Sequence, residues 1–245
     1  AYEIMPSLVG SEMCIRDRPN SLILGPIIRR LMTLGVPLKH ITVLIATGLH
    51  RPNEGTELEE LIGDPWVLEN VNVENHFARD DSAHIEVGTT KKGNRILLDN
   101  RFVSADLKIV TGLVEPHFMA GYSGGRKVIA PGVAHAETIT TFHSSRYMED
   151  PLATNCNLDG NPLHEDQLEI VEMVGGALAM NVVIDELRNL SFINFGEIIS
   201  GALESSNTNI ANEMVSMMRT QQAFNGNARI LQTNVDVTRR LMDGG

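Results

Sequence analysis

The chain contains few cysteines, no long apolar run and no excess of positive charge. Its two cysteines, Cys14 and Cys156, lie far apart and lack the spacing of a metal site, which favours a reducing cytoplasm. No uninterrupted apolar stretch approaches the roughly 18 residues that a membrane-spanning helix needs. The N-terminus also lacks the basic-then-apolar pattern of a secretory signal. These absences argue against membrane-spanning and disulfide-stabilised classes of protein.

The charge balance is acidic, with 31 Asp and Glu against 20 Lys and Arg, for a net charge of −11. An acidic surface repels nucleic acid and anionic membranes, so neither is expected as a partner. The hydrophobic share of 42% and charged share of 21% are typical of a globular protein. A length of 245 residues allows one large domain or two small ones.

The middle of the chain alternates apolar runs with segments of helical periodicity. This alternation predicts an α/β fold with a mostly parallel sheet and flanking helices, and function at the carboxyl ends of the strands. The predicted helices are 22–34, 54–62 and 163–174. The predicted strands are 41–46, 71–77, 83–87, 95–98, 107–113, 179–184 and 190–195, with a hairpin turn at 92–94.

Both ends of the chain differ from this middle part. Residues 7–18 resemble a translated sequencing-adapter artefact, so residues 1–18 are interpreted as an artefactual or disordered arm outside the fold. The α/β domain is assigned to residues 19–200. In 201–245, apolar residues recur from Ile210 to Met242 at alternating steps of four and three, which predicts a heptad helix over 203–242 that pairs with another helix.

A glycine-rich segment follows the predicted strand 107–113. It reads Ser123-Gly-Gly-Arg-Lys127, and its glycines would let backbone N–H groups approach a phosphate. Desolvation and a neighbouring cation such as Arg126 would lower the pKa of the Lys127 amine and make it nucleophilic. A tight turn carrying a solvated lysine is the structural alternative. A nucleotide-binding phosphate loop is another, although the spacing differs from that of a P-loop and Val128 stands where Ser or Thr would follow the lysine.

Several histidines accompany these loops. His50 follows strand 41–46 and His117 follows strand 107–113, so both are expected at the carboxyl edge of the sheet. Histidine suits proton transfer near neutral pH, and its neutral ring suits transition metals such as nickel. Each histidine could equally be an ordinary loop residue. His135 is expected to be structural, and His76 and His84 to face solvent or to cap an element.

The segment from Glu115 to Gly132, with Gly124-Gly-Arg-Lys127 at its centre, resembles the nickel-pincer lactate racemases. The resemblance covers about residues 19–200 and implies a 2-hydroxy-acid racemase or epimerase that acts by reversible hydride transfer. It implies that a nickel-bearing pincer nucleotide is attached through Lys127 beside Gly124, Gly125 and Arg126. It also implies that His143, sixteen residues after the lysine, is the nickel ligand.

His50 and His117 match the two acid/base residues of that family, one for each face of the substrate. The family's opening Asp-x-Thr-Arg-Pro motif remains only as Arg18-Pro19, which makes Arg18 a candidate for phosphate or substrate binding. The family's second α/β domain, which closes over the site, has no counterpart here. The resemblance therefore implies a truncated, inactive racemase, and it leaves open which 2-hydroxy acid the complete enzyme uses.

The stretch from Leu203 through Thr233 resembles the C-terminal helix of flagellar hook and rod proteins. In that family the helix pairs with an N-terminal helix of the same chain, and no candidate for that partner precedes it here. Three interpretations follow: a chimeric chain, a native amphipathic terminal helix of the racemase, or a flagellar structural protein. A flagellar location would apply only to residues 201–245, and the racemase part is expected in the cytoplasm.

Overall fold

The computed structural model describes residues 4–9, 20–184 and 190–198, with the backbone alone described for 4–9 and 190–198. All of these residues belong to one compact unit. The predicted heptad helix over 203–242, the candidate Arg18 and Cys14 lie outside the described residues. In the described part of the chain, no helix has both the length and the apolar character required to cross a membrane.

Within residues 4–9, 20–184 and 190–198, ten strands form one large sheet and two hairpins. The strands are β1 Ile4–Val9, β2 Thr42–Ala46, β3 Asn72–Asn75, β4 His84–Thr89, β5 Arg95–Asp99, β6 Leu107–Leu113, β7 Pro116–His117, β8 Gly121–Tyr122, β9 Ala177–Ile184 and β10 Leu190–Ile198. The large sheet has the order β10-β9-β6-β1-β2-β3, while β4-β5 and β7-β8 pair separately. Every pairing in the large sheet is parallel except the antiparallel pair of β9 and β10. The predicted mostly parallel sheet is confirmed.

Among the described residues, eight α-helices accompany the strands. They are α1 Asn20–Thr33, α2 Thr56–Ile62, α3 Pro65–Asn70, α4 Asn100–Val103, α5 Arg126–Ile129, α6 Ala136–Phe142, α7 Ser145–Met148 and α8 Pro162–Met173. Helix α8 begins where the sequence predicts, because Pro162 stands at its first position and the Asn161 side chain accepts hydrogen bonds from the backbone N–H groups of Leu163 and His164. The helix predicted over 22–34 is α1.

Both faces of the sheet are buried. On one face, α1 and α3 cover strand residues such as Ile41, Val43 and Ile109. On the other face, α5, α6 and α8 cover Leu44 and Val110. Successive strand residues point to opposite faces, so neighbours such as Ile109 and Val110 fill different cores. This double burial explains why β2 and β6 read as continuous apolar runs in the sequence.

Strand β1 lies in the N-terminal segment that was expected to be outside the fold. Residues 1–18 were expected to lie outside the fold, whereas Ile4–Val9 pairs with β2 on one side and with β6 on the other. The physical reason is hydrogen bonding, because without β1 the facing backbone groups of β2 and β6 would have no strand between them to pair with. The expectation of an arm outside the fold is therefore wrong for residues 4–9.

Candidate active site

The glycine-rich segment forms a closed loop after β6. The Ser123 hydroxyl donates to the carbonyl of Leu113 at 2.7 Å and accepts from the N–H of Glu115 at 2.9 Å. The N–H of Ser123 in turn donates to the carbonyl of Glu115 at 2.9 Å. The β7–β8 hairpin, which carries His117, projects from the base formed by these bonds. The sequence 113–123 is therefore fixed to the carboxyl end of the sheet.

Two glycines turn the chain from this loop into α5. Gly124 has φ +76° and Gly125 has φ +45°, which are left-handed conformations that side chains disfavour. The turn packs against β6 so closely that a Cβ atom on Gly112 would lie 2.9 Å from the Cα of Gly124. The N–H of Gly125 donates to the buried Asn181 side chain on β9 at 2.9 Å. Backbone packing and one buried amide thus fix the start of α5, where Lys127 lies.

Lys127 lies in α5 in a partly buried position. Burial, and then the positive charge of Arg126, lower the pKa of its amine from 10.5 to about 8. Arg126 is itself only 9% exposed, and its Nη2 donates to the carbonyl of Ala120 at 2.7 Å. Close to neutral pH a useful fraction of the Lys127 amine is therefore uncharged and nucleophilic, as the sequence predicts.

His117 lies partly buried near Lys127 and His143. Its pKa is lowered from 6.5 to about 4 by burial and then by the charges of Lys127, His143 and Arg126. The backbone N–H groups of Met119 and Ala120 donate to its Nδ1 at 3.3 and 3.1 Å. The neutral ring must therefore carry its proton on Nε2, and it must release these two bonds before Nδ1 can accept a proton.

His143 lies at the C-terminal end of α6, with its side chain exposed. Its Nδ1 is 2.8 Å from the carbonyl of Ile139, so Nδ1 carries the proton and donates. The unprotonated Nε2 then faces away from the helix. A metal-ligating imidazole typically has this arrangement, with one nitrogen held by a carbonyl and the other available to the ion.

His50 is exposed in the turn that follows β2. Its N–H donates to the carbonyl of Thr47 at 3.0 Å, and the N–H of Gly48 donates to the carbonyl of Gly132 at 2.9 Å. The second bond ties the His50 turn to the segment just after α5. Strands β2 and β6 both run parallel to β1, so His50 and His117 both follow strands at the same edge of the sheet.

The prediction for two other histidines is partly wrong. His76 and His84 were expected to face solvent or to cap an element, yet they are 1% and 7% exposed. His84 does cap an element, since it directly follows the short 3-10 turn Asp81–Ala83 and its Nδ1 lies 2.7 Å from the carbonyl of Asp80. Their burial arises because the β4–β5 hairpin packs beside the end of β3, a contact between distant parts of the chain that local sequence does not reveal.

The sequence did not identify Asn181 as a site residue, since an asparagine inside an apolar strand has no distinguishing motif. His135 is structural as predicted, because its Nδ1 accepts from the N–H of Glu137 at the start of α6.

Together the fold and the site define a class: an α/β domain that presents a lysine of lowered pKa and several imidazoles at one edge of a parallel sheet. The Lactate racemase N-terminal domain family matches residues 8–155, which is more than half of the chain. The chain therefore belongs to this family.

Individual relatives agree with this assignment. Lactate racemase of Lactiplantibacillus plantarum is 35% identical over 175 residues, which are 71% of this chain and 41% of that protein. Lactate racemase of Thermoanaerobacterium thermosaccharolyticum is 36% identical over 151 residues, 62% of this chain and 35% of that protein. The chain thus spans less than half the length of these curated relatives.

Solved structures show the same fold. The lactate racemase apoprotein from Thermoanaerobacterium thermosaccharolyticum superposes with a TM-score of 0.69 and 29% identity, covering 80% of this chain and 45% of that one. A protein from Thermotoga maritima superposes with a TM-score of 0.66, covering 81% of this chain and 51% of that one. At 21% identity, the second likeness shows the fold alone.

The C-terminal segment has different relatives. The family described as Flagellar basal body rod FlgEFG protein C-terminal matches residues 199–243. Flagellar hook protein FlgE of Rhizobium meliloti is 42% identical over 50 residues, 20% of this chain and 12% of that protein. The chain thus joins segments that match two unrelated families.

Proposed function

We propose that the α/β portion is the N-terminal domain of a 2-hydroxy-acid racemase or epimerase, with Lys127 as the attachment point of a nickel-pincer nucleotide. The observation that carries this proposal is the Lys127 amine, whose pKa is lowered to about 8 beside a glycine turn. Membership of the lactate racemase N-terminal domain family supports it. The identity of the 2-hydroxy acid depends on contacts from the part of the relatives that this chain does not match.

The residues present fit the proposed cofactor. The uncharged Lys127 amine would attack the nucleotide's acyl carbon, and the new C–N bond would replace the bond from that carbon to its leaving group as the amine loses a proton. Gly124 and Gly125 are buried and the N–H of Gly125 already donates to Asn181, so these glycines shape the turn before Lys127 and that N–H is not available to a phosphate. His143 offers an Nε2 lone pair to nickel, because its Nδ1 donates to Ile139. When bound, the nickel nucleotide would supply the acceptor and donor for reversible hydride transfer. We also propose that Arg18, which lies outside the described residues, binds the phosphate or the substrate.

The two remaining histidines, His50 and His117, would transfer protons to and from the substrate hydroxyl. Racemisation needs a proton acceptor on one face of the substrate and a proton donor on the other. His50 and His117 both follow strands at the edge of the sheet that carries Lys127. With its proton on Nε2, the neutral His117 ring can donate a hydrogen bond to the substrate hydroxyl. It accepts a proton, and can then return one as an imidazolium acid, only after Nδ1 releases the N–H groups of Met119 and Ala120.

The proposal is tested in an enzyme that carries this domain together with the second domain of the family. There, Lys127→Ala should abolish covalent attachment and racemisation. His143→Gln should keep the nucleotide and lose nickel. His50→Gln and His117→Gln should each keep both and lose at least the roughly 10²–10⁴-fold in turnover typical of general acid/base catalysis. Lys91→Ala, at an exposed lysine, is the control. Full activity in Lys127→Ala would contradict the proposed attachment at Lys127.

Residues 201–245 support a second candidate function, that of a flagellar rod or hook segment. The match over residues 199–243 favours it. We therefore propose three parts: residues 1–18, whose strand Ile4–Val9 joins the sheet, a racemase-like domain over 19–200, and a flagellar-like segment over 201–245. Amplification of genomic DNA across the codons for Ser200 and Gly201 tests the junction. A continuous product would support one natural chain, and its absence would support a chimera.

A further inference from the structure

A second cluster of potential ligands lies apart from Lys127 and His143, where the β4–β5 hairpin meets the end of β3. His76 directly follows β3, His84 begins β4 and Asp99 ends β5, where it pairs in register with His84. All three are buried, with Asp99 0% exposed. One ligand atom from each lies within 4.8 Å of the other two. Buried polar side chains normally have hydrogen-bond or metal partners, so the partners of these three residues indicate what the cluster can bind.

The two imidazole rings face each other through their Nε2 atoms, 2.9 Å apart. The Nδ1 of His84 lies 2.7 Å from the carbonyl of Asp80, which can only accept, so His84 carries its proton on Nδ1. The Nδ1 of His76 faces the hydroxyl oxygen of Thr47 at 3.4 Å. That hydroxyl already donates to the carbonyl of His76 at 2.7 Å, so its oxygen can accept from Nδ1. His84 therefore has its lone pair on Nε2. Without an ion, His76 Nε2–H can donate to it; when the His76 proton moves to Nδ1, the two Nε2 lone pairs face the same point, where a cation can bind.

Asp99 completes the set with a charged oxygen ligand. Arg101 bonds both carboxylate oxygens: Oδ1 accepts from the backbone N–H at 2.9 Å and from Nε at 3.0 Å, and Oδ2 accepts from Nη2 at 2.6 Å. Oδ2 therefore has a lone pair left for an ion. Arg101 also pairs with Glu74, so the surroundings carry two carboxylates against one guanidinium. Metal-ligating carboxylates are themselves commonly hydrogen-bonded, and the net negative charge favours a cation. His135 packs on His84 with ring centroids 5.0 Å apart. Its Nε2 pairs with Asp81 and its Nδ1 accepts from the N–H of Glu137, so His135 is not counted as a ligand.

We propose that His76, His84 and Asp99 bind one divalent transition-metal ion, for which Zn²⁺ is the probe, and that this ion clamps the β4–β5 hairpin to the main sheet. Two imidazoles and a carboxylate with a water molecule form a common four-coordinate set for zinc. Two ligands at bond lengths of about 2.0–2.2 Å around a tetrahedral ion lie about 3.3–3.6 Å apart, so a separation of 4.8 Å would have to shorten by about 1.2–1.5 Å, shared between the two side chains. The site is separate from the proposed nickel ligand His143.

The binding test uses the full chain, stripped of metal and titrated with Zn²⁺ against a chromophoric chelator of micromolar affinity. We expect one equivalent of tightly bound Zn²⁺. His76→Gln, His84→Gln and Asp99→Asn should each weaken it by more than the roughly 10–100-fold that loss of an outer-shell partner costs. His143→Gln and His40→Gln should retain it, since His40 precedes β2 at the opposite edge of the sheet. Zn²⁺ binding that survives His84→Gln, or no binding by the wild-type chain, would overturn the proposal.

Replacement of a buried histidine can unfold the protein, so the wild-type chain provides an independent test. With Co²⁺ in place of Zn²⁺, proton NMR should show two hyperfine-shifted, exchangeable imidazole N–H signals, from Nδ1–H of His76 and of His84. Both signals should remain in His143→Gln. Absence of shifted N–H signals in Co²⁺-treated wild-type protein would show instead that the two rings share a proton, and the metal proposal would be wrong.

Discussion

At the residue scale, Lys127 is defined by its surroundings more than by its motif. Gly-Gly-Arg-Lys alone is compatible with an exposed turn, whereas the structure buries Arg126 and partly buries Lys127 beside it. A buried cation next to an amine favours the uncharged form of the amine. The sequence predicted this effect from desolvation and from the neighbouring arginine, and the structure shows that burial is the larger cause.

The lowered pKa of Lys127 predicts unusual reactivity. Acetylation of the Lys127 amine by a limiting pulse of acetic anhydride should rise with pH around a midpoint of about 8, because only the uncharged amine reacts. The exposed Lys91 serves as an internal reference in the same digest, and quantitative mass spectrometry follows both peptides. A Lys127 midpoint above pH 10 would contradict the buried, cation-flanked environment.

Asn181 supplies a second test at this scale. Its side chain accepts from the buried N–H of Gly125, so Asn181→Ala leaves that N–H without its partner. Loss of a buried partner costs about 1–3 kcal/mol of unfolding free energy. Urea denaturation should show that loss, and Asn70→Ala, at an exposed residue at the end of α3, should stay within about 0.5 kcal/mol of wild type. Equal effects from the two variants would argue against the assigned bond.

At the element scale, the contact between β6 and the glycine turn positions the site. Gly112→Ala would place a methyl group 2.9 Å from the backbone of Gly124, which cannot move aside as a flexible side chain could. We expect a loss of about 1–3 kcal/mol in unfolding free energy, from overpacking. Because the turn would shift, the pH midpoint for Lys127 acetylation should also move towards 10.5. A variant with wild-type stability and an unchanged midpoint would show that this contact does not position the lysine.

How far the sequence could predict the structure also differs between elements. Strands β2 and β6 and helix α8 were predictable, because apolar runs and an Asn-Pro start are local signals. The burial of His76 and His84 was not, because it depends on a hairpin meeting the main sheet. The tautomer of His117 likewise depends on where the N–H groups of Met119 and Ala120 point, which no spacing encodes.

At the scale of the whole molecule, buried histidines couple stability to pH. Burial lowers the pKa values of both His117 and His164 from 6.5 to about 4. Between these two values the unfolded chain binds more protons than the folded chain, so stability falls as the pH drops from 6.5 towards 4. The urea midpoint should therefore decrease between pH 7 and pH 4.5.

Two variants separate the contribution of His164 to this pH dependence of stability from the contribution of the carboxylates. His164→Gln removes a group whose pKa differs between the folded and unfolded states, so it should show a smaller decrease in urea midpoint over the same pH range. His40→Gln is the matched control and should behave like wild type. An identical decrease in His164→Gln and wild type would show that protonation of His164 does not oppose folding.

The central claim, that Lys127 anchors a nucleotide cofactor, is tested most directly by the mass of one peptide. The chain would be produced together with the enzymes that make the cofactor, digested, and analysed by mass spectrometry alongside Lys127→Arg. We predict that the Lys127 peptide of the wild-type chain carries the mass of the pincer nucleotide, and that Lys127→Arg carries no such addition at any position. A wild-type Lys127 peptide that remains unmodified under conditions that load a complete lactate racemase would contradict the account.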